Sequence, residues 1–100
     1  MPRKPSPKRR VTTRKKGVEL RFYAPWARRV CVAGDFNNWN TDALEMQSNG
    51  QGEWLLKLKL APGKYEYKFF ADGVWHNDPE ASQQLPNVWG SENSMLQVSA

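Results

Sequence analysis

The alternation of apolar and polar residues along this chain restricts its architecture more than any other feature. Trp54, Leu56, Leu58 and Leu60 occupy every second position, with Leu55, Lys57 and Lys59 between them. A period of two places alternate side chains on opposite faces of an extended strand, whereas a helix would bury a stripe at a period of about 3.6. Val18, Leu20 and Phe22 follow the same rule, and so do Tyr65, Tyr67 and Phe69. Arg28 to Ala33 (RRVCVA) is a nearly continuous apolar strand, as expected near the centre of a sandwich.

Turn chemistry separates these segments. Pro25 ends the first strand because it cannot donate to a ladder. Gly34 to Asn38 reads as a turn, and Trp39 to Gly52 as a polar loop. Ala61-Pro62-Gly63 is a tight turn before a strand over Lys64 to Ala71, and Asp72-Gly73 is a two-residue type I′ hairpin signal. A loop rich in Pro, Asn, Gly and Ser precedes a last strand at about Ser94 to Ser99. The expected architecture is all-β, an immunoglobulin-like β-sandwich over residues 17–100. One hundred residues suffice for one such core.

The net charge of +5 divides unevenly. Residues 1–16 carry eight basic side chains and no acid, while residues 17–100 carry seven basic side chains against ten acids, a net of −3. Prolines at 2, 5 and 7 and mutual charge repulsion predict a disordered basic tail. Such a tail is either an electrostatic tether to nucleic acid, acidic protein or anionic membrane, or a solubilising leader with no partner. No apolar run reaches the length of about 18 residues that a membrane helix requires. No apolar stretch of signal-peptide type follows the basic N-terminus, and Cys31 stands alone, a pattern suited to the reducing cytoplasm.

Catalytic constellations are hard to assemble from this chain. With one histidine, His76, and one cysteine, no Cys/His metal cluster can form. No glycine-rich phosphate loop is present, so neither a metal nor a cofactor is expected. Among the carboxylates, Asp35, Asp72 and Asp78 sit in expected turns, and Glu19 and Glu66 on solvent faces of strands, where solvation accounts for them. The chain is also too short for the barrel of about 250 residues used by many sugar hydrolases. The expectation is a domain without catalytic activity.

Five tryptophans in 100 residues are more informative. Trp54 shares the face of Leu56, Leu58 and Leu60 and belongs to the core, and Trp26, which follows a proline in an interstrand loop, is expected to pack into the core as well. If Asp72 and Gly73 form the turn, Phe70 pairs with Trp75 and both face outward, near Lys68. An outward indole beside a cation serves either as a ligand platform or as half of a pair that stabilises the hairpin. Trp39, in an Asn-rich loop, is a similar case. Flat aromatic faces suit the apolar C–H face of a pyranose, while Asn, Gln and Lys suit its hydroxyl rim. Single-stranded nucleic acid also stacks on aromatics, but the folded part of this chain is acidic.

Four motifs in order, Gly34-Asp35-Phe36-Asn37-Asn38-Trp39, Pro62 to Phe69, Asp72-Gly73-Val74-Trp75 with Asp78-Pro79, and Asn93-Ser94, resemble the family-48 carbohydrate-binding module. That family includes the glycogen-binding domain of the AMP-activated protein kinase beta subunit and the early-set domains of glycogen branching and debranching enzymes. The resemblance implies an early-set, isoamylase N-terminal-like sandwich that binds α-1,4-linked glucan such as glycogen or starch. It also implies site residues. Trp39 and Trp75 fall at the stacking positions, and Lys68 and Asn93 at positions that reach sugar hydroxyls. Ser91 matches a hydrogen-bonding threonine, and Trp89 replaces an aliphatic prop, as a third platform or as a change in which glucan fits. The sequence stops at Ala100, so the expectation is either a glucan-metabolising enzyme or kinase acting in trans, or a module that simply coats the polymer. The alternatives are a protein-interaction or scaffolding domain with the same fold, and a nucleic-acid-associated protein acting through its basic tail.

Overall fold

A computed structural model describes residues 15–99, so residues 1–14 of the basic segment fall outside the described residues, while Lys16, expected at the end of the tail, opens the first strand. The described chain forms eight strands: β1 (Lys16–Tyr23), β2 (Val30–Gly34), β3 (Gln47–Ser48), β4 (Glu53–Leu60), β5 (Gly63–Ala71), β6 (Val74–His76), β7 (Gln83–Pro86) and β8 (Glu92–Val98). They assemble into a sandwich of two antiparallel sheets. One sheet has three strands in the order β1-β4-β3, and the other has five, ordered β2-β5-β8-β7 with β6 also paired to β5.

Alternation builds the core between the sheets. Leu20 and Phe22 from β1 and Trp54 from β4 meet Val30 and Val32 from β2 and Tyr67, Phe69 and Ala71 from β5. The Phe22 and Phe69 rings join the two sheets with centroids 4.5 Å apart. The Trp54 indole N–H donates to the Ala24 carbonyl at 3.0 Å, which satisfies the one polar atom this large ring carries into the core. The Asp72-Gly73 turn has φ of 49° and 82°, the two positive values that a type I′ turn demands. It sets the expected pairings Phe70 with Trp75 and Ala71 with Val74.

Three expectations are corrected. The stretch between Trp39 and Gly52 is not all loop: Leu44 to Met46 hydrogen-bonds to β2, and Gln47–Ser48 then pairs with β4. This segment therefore passes from the edge of one sheet to the edge of the other. The loop expected before the last strand contains β7, paired with β8. Trp26 does not pack into the core; it is 56% exposed, with its ring against His76 at the rim of the sandwich.

Candidate functional site

The candidate site lies on the face of the five-stranded sheet that points away from the core. Glu66, Lys68 and Phe70 occupy that face of β5, with Trp75 beside Phe70 on β6 and Asn93 on β8. Two loops wall it. One is the turn after β2 that ends at Trp39, and the other runs from Asn87 to Ser91 between β7 and β8.

The first wall is fixed at Gly34. A Cβ there would lie 2.5 Å from the Glu66 carbonyl oxygen and 2.7 Å from the Tyr67 Cβ, so only glycine lets the chain approach β5 this closely. A 3-10 turn follows over Asp35–Asn37. Asn37 Oδ1 accepts the Gly34 N–H at 3.0 Å, and Asn37 Nδ2 donates to the Val32 and Asn40 carbonyls. Asn38 and Trp39 then take left-handed backbone angles, φ 57° and 59°. That conformation is costly for a side chain as bulky as an indole. It is stabilised by Asp35, whose Oδ1 accepts the Trp39 indole N–H at 3.0 Å while Oδ2 accepts the Glu66 backbone N–H at 2.8 Å.

Trp39 and Trp75 stand edge to face, with centroids 6.3 Å apart and an interplanar angle of 62°. Trp75 also leans on Phe70 at 4.7 Å and keeps 43% of its surface exposed. Strand register therefore aims Trp75 outward, and the Asp35 turn brings Trp39 beside it.

The second wall is organised by Asn87. Its Oδ1 accepts the Trp89 and Ser91 backbone N–H groups at 2.9 and 3.2 Å, and its Nδ2 donates to Ser91 Oγ and Asn93 Oδ1. The loop closes with the Asn87 N–H on the Ser91 carbonyl and a left-handed Gly90, φ 84°. At its tip Trp89 is 86% exposed. This loop also changes the setting of Lys68. The lysine faces away from the core as its register requires, yet only 8% of it is exposed, and its Nζ reaches Ser91 Oγ at 3.4 Å.

Trp39, Lys68, Trp75, Trp89, Ser91 and Asn93 all line one open concavity of about 990 Å³. Asp35, Glu66 and Asn87 line it too. Sequence reasoning assigned the two carboxylates to solvent and gave Asn87 no role. Asp35 has both oxygens engaged, and Glu66 is half-buried with Oε1 accepting the Asn93 amide at 3.1 Å. The local signal for Asn87 was its place three residues before a glycine, the composition of a side-chain-stabilised turn. Among the described residues no three His, Cys, Asp or Glu side chains gather as a metal site, and no helix is long and apolar enough to cross a membrane.

The chain is 42% identical over 84 residues to Protein FLOURY ENDOSPERM 6, chloroplastic, of Oryza sativa subsp. japonica, covering 80% of this chain and 15% of that protein. It is 40% identical over 73 residues to Protein PTST homolog 2, chloroplastic, of Arabidopsis thaliana, covering 73% of this chain and 13% of that protein. To the beta-1 subunit of 5'-AMP-activated protein kinase of Rattus norvegicus it is 35% identical over 69 residues, or 69% of this chain and 24% of the subunit. The chain thus spans no more than 24% of the length of these relatives. Residues 19–100 match the family described as the glycogen recognition site of AMP-activated protein kinase, and with these identities the match shows that the chain belongs to that family.

Proposed function

We propose that this domain binds α-1,4-linked glucan, in glycogen or a starch-like polymer, and performs no catalysis itself. The observation that carries the reading is the convergence of Trp39, Trp75 and Trp89 with Lys68, Ser91 and Asn93 on one concavity. A pyranose offers an apolar C–H face and a rim of hydroxyls. The Trp75 ring takes a face, Trp39 meets the chain at an angle to it, and Trp89 supplies a third apolar surface from the opposite wall. Lys68, Ser91 and Asn93 hydrogen-bond the rim. The edge-to-face setting of Trp39 and Trp75 suits a curved chain better than a flat ribbon, because successive sugars must meet planes inclined at 62°.

A few stacking contacts and rim hydrogen bonds on a shallow surface give a dissociation constant between about 1 μM and 1 mM. A polymer with many chain ends raises the apparent strength wherever the domain is tethered or oligomeric. In that role it brings a glucan-metabolising enzyme or a kinase to the polymer. The test is retardation in a glycogen-containing native gel. Trp75→Ala and Trp39→Ala should each weaken retention by about tenfold or more, with melting temperatures within a few degrees of wild type because neither ring belongs to the hydrophobic core. Wild-type retention by both variants would place the ligand elsewhere.

A further inference from the structure

Two charges in the proposed glucan site, on which this inference rests, leave each other unpaired. Glu66 and Lys68 sit two residues apart on the outer face of β5 and both line the concavity. The rise of about 3.3 Å per residue sets their Cα atoms roughly 7 Å apart, and no ion pair joins them. Each has unused hydrogen-bonding capacity. Lys68 is almost fully covered, yet among the described residues only one of its three N–H donors is engaged, in a long 3.4 Å contact with Ser91. Glu66 Oε1 accepts from Asn93, while no hydrogen bond among the described residues reaches Oε2.

Partly desolvated charges are costly unless something satisfies them. Asn93 does not serve both: its amide gives one N–H to Glu66 Oε1 and its oxygen accepts from Asn87, and among the described residues it bonds neither Glu66 Oε2 nor Lys68. A hydroxyl can, because it donates and accepts at once. We propose that Glu66 is a sugar-contacting residue whose Oε2 accepts a hydroxyl of the bound glucosyl unit, while Lys68 donates to that hydroxyl or to its vicinal neighbour. The pair then recognises a neutral sugar with adjacent equatorial hydroxyls through two charge-assisted hydrogen bonds, stronger than neutral ones. Glu66 thereby fixes the sugar's rotation about the stacking axis, which the tryptophans alone leave free.

A double-mutant cycle separates direct contact from an effect relayed through Asn93. Tryptophan fluorescence titrations with maltoheptaose would compare wild type, Glu66→Gln, Asn93→Ala and the double variant, with thermal melts run alongside. Glutamine is isosteric and keeps an acceptor for Asn93, so the fold and the Asn93 contact survive. The expected result is about tenfold weaker binding for Glu66→Gln, with a similar further loss in the Asn93→Ala background. Glu66→Ala should lose at least as much. Binding by Glu66→Gln within twofold of wild type overturns the inference and leaves the proposed site standing. A loss that vanishes in the Asn93→Ala background also overturns it, since Glu66 would then act only on Asn93. Absence of maltoheptaose binding by wild type sinks the glucan reading and takes this inference with it.

Discussion

Asp35 shows how much one side chain can decide. Its two oxygens divide their work, one holding the Trp39 indole and the other the backbone of β5, so a single carboxylate links the platform to the sheet. The left-handed backbone at Asn38 and Trp39 would relax without it, because among the described residues only Asp35 accepts from the indole nitrogen. Asp35→Ala should therefore weaken glycogen retention about three- to tenfold and destabilise the fold by about 1 kcal/mol, the scale of a lost partly exposed hydrogen bond. The Trp39 indole proton should move upfield and exchange faster in the nuclear magnetic resonance spectrum. Asp35→Asn, which keeps one acceptor, should fall between. If the Asp35→Ala indole resonance stays where it is in wild type, Asp35 does not position Trp39.

At the scale of elements, the site joins a rigid sheet to two loops with different degrees of bracing. The Asp35 turn is tied to β5 by backbone proximity at Gly34, whereas the Asn87 loop is tied largely by one amide side chain. Asn87→Ala should therefore release Trp89 and loosen the cover over Lys68 together. Glycogen retention should fall by about three- to tenfold in Trp89→Ala and by at least as much in Asn87→Ala, with little change in melting temperature. Undiminished retention by Trp89→Ala would remove it from the binding surface. The same contrast explains what could be read from the sequence. Strands with apolar residues at every second position were legible, and the Asp72-Gly73 turn even gave the register that aims Trp75 outward. β3 is too short to show a period, and β7 (QQLP) hides its inward position behind a polar residue, Gln84. The cover over Lys68 and the engagement of Glu66 depend on residues more than 20 positions away, which no local pattern records.

Across the whole molecule, the inward Gln84 belongs to a polar network that replaces apolar packing at one end of the sandwich. Ser94 Oγ donates to Gln84 Oε1 and accepts the Asp78 N–H, Gln84 Nε2 donates to the Asp78 carbonyl, and the Tyr67 hydroxyl donates to Asp78 Oδ2 at 2.6 Å. The network ties β5, β7 and β8 to the segment after β6, and so holds the sheet that carries the site. Burial, reinforced by the hydrogen bond to the Asp78 carboxylate, pushes the Tyr67 phenol well above its ordinary value of 10.0. The sign of the linkage follows from proton binding. Above pH 10.0 the unfolded chain releases the Tyr67 proton while the folded protein keeps it, so unfolding is favoured as pH rises, and the stabilisation is fully present only below that pH. Tyr67→Phe removes the hydroxyl and leaves buried Asp78 short of a donor, at a cost of about 1–3 kcal/mol near pH 7. The variant lacks the titrating proton, so its stability should fall less steeply through the alkaline range. In urea unfolding between pH 7 and pH 11, the gap between wild type and Tyr67→Phe should hold steady up to about pH 9.5 and narrow above it. Parallel curves across that range would show that the Tyr67 proton is not what holds this end of the sandwich together.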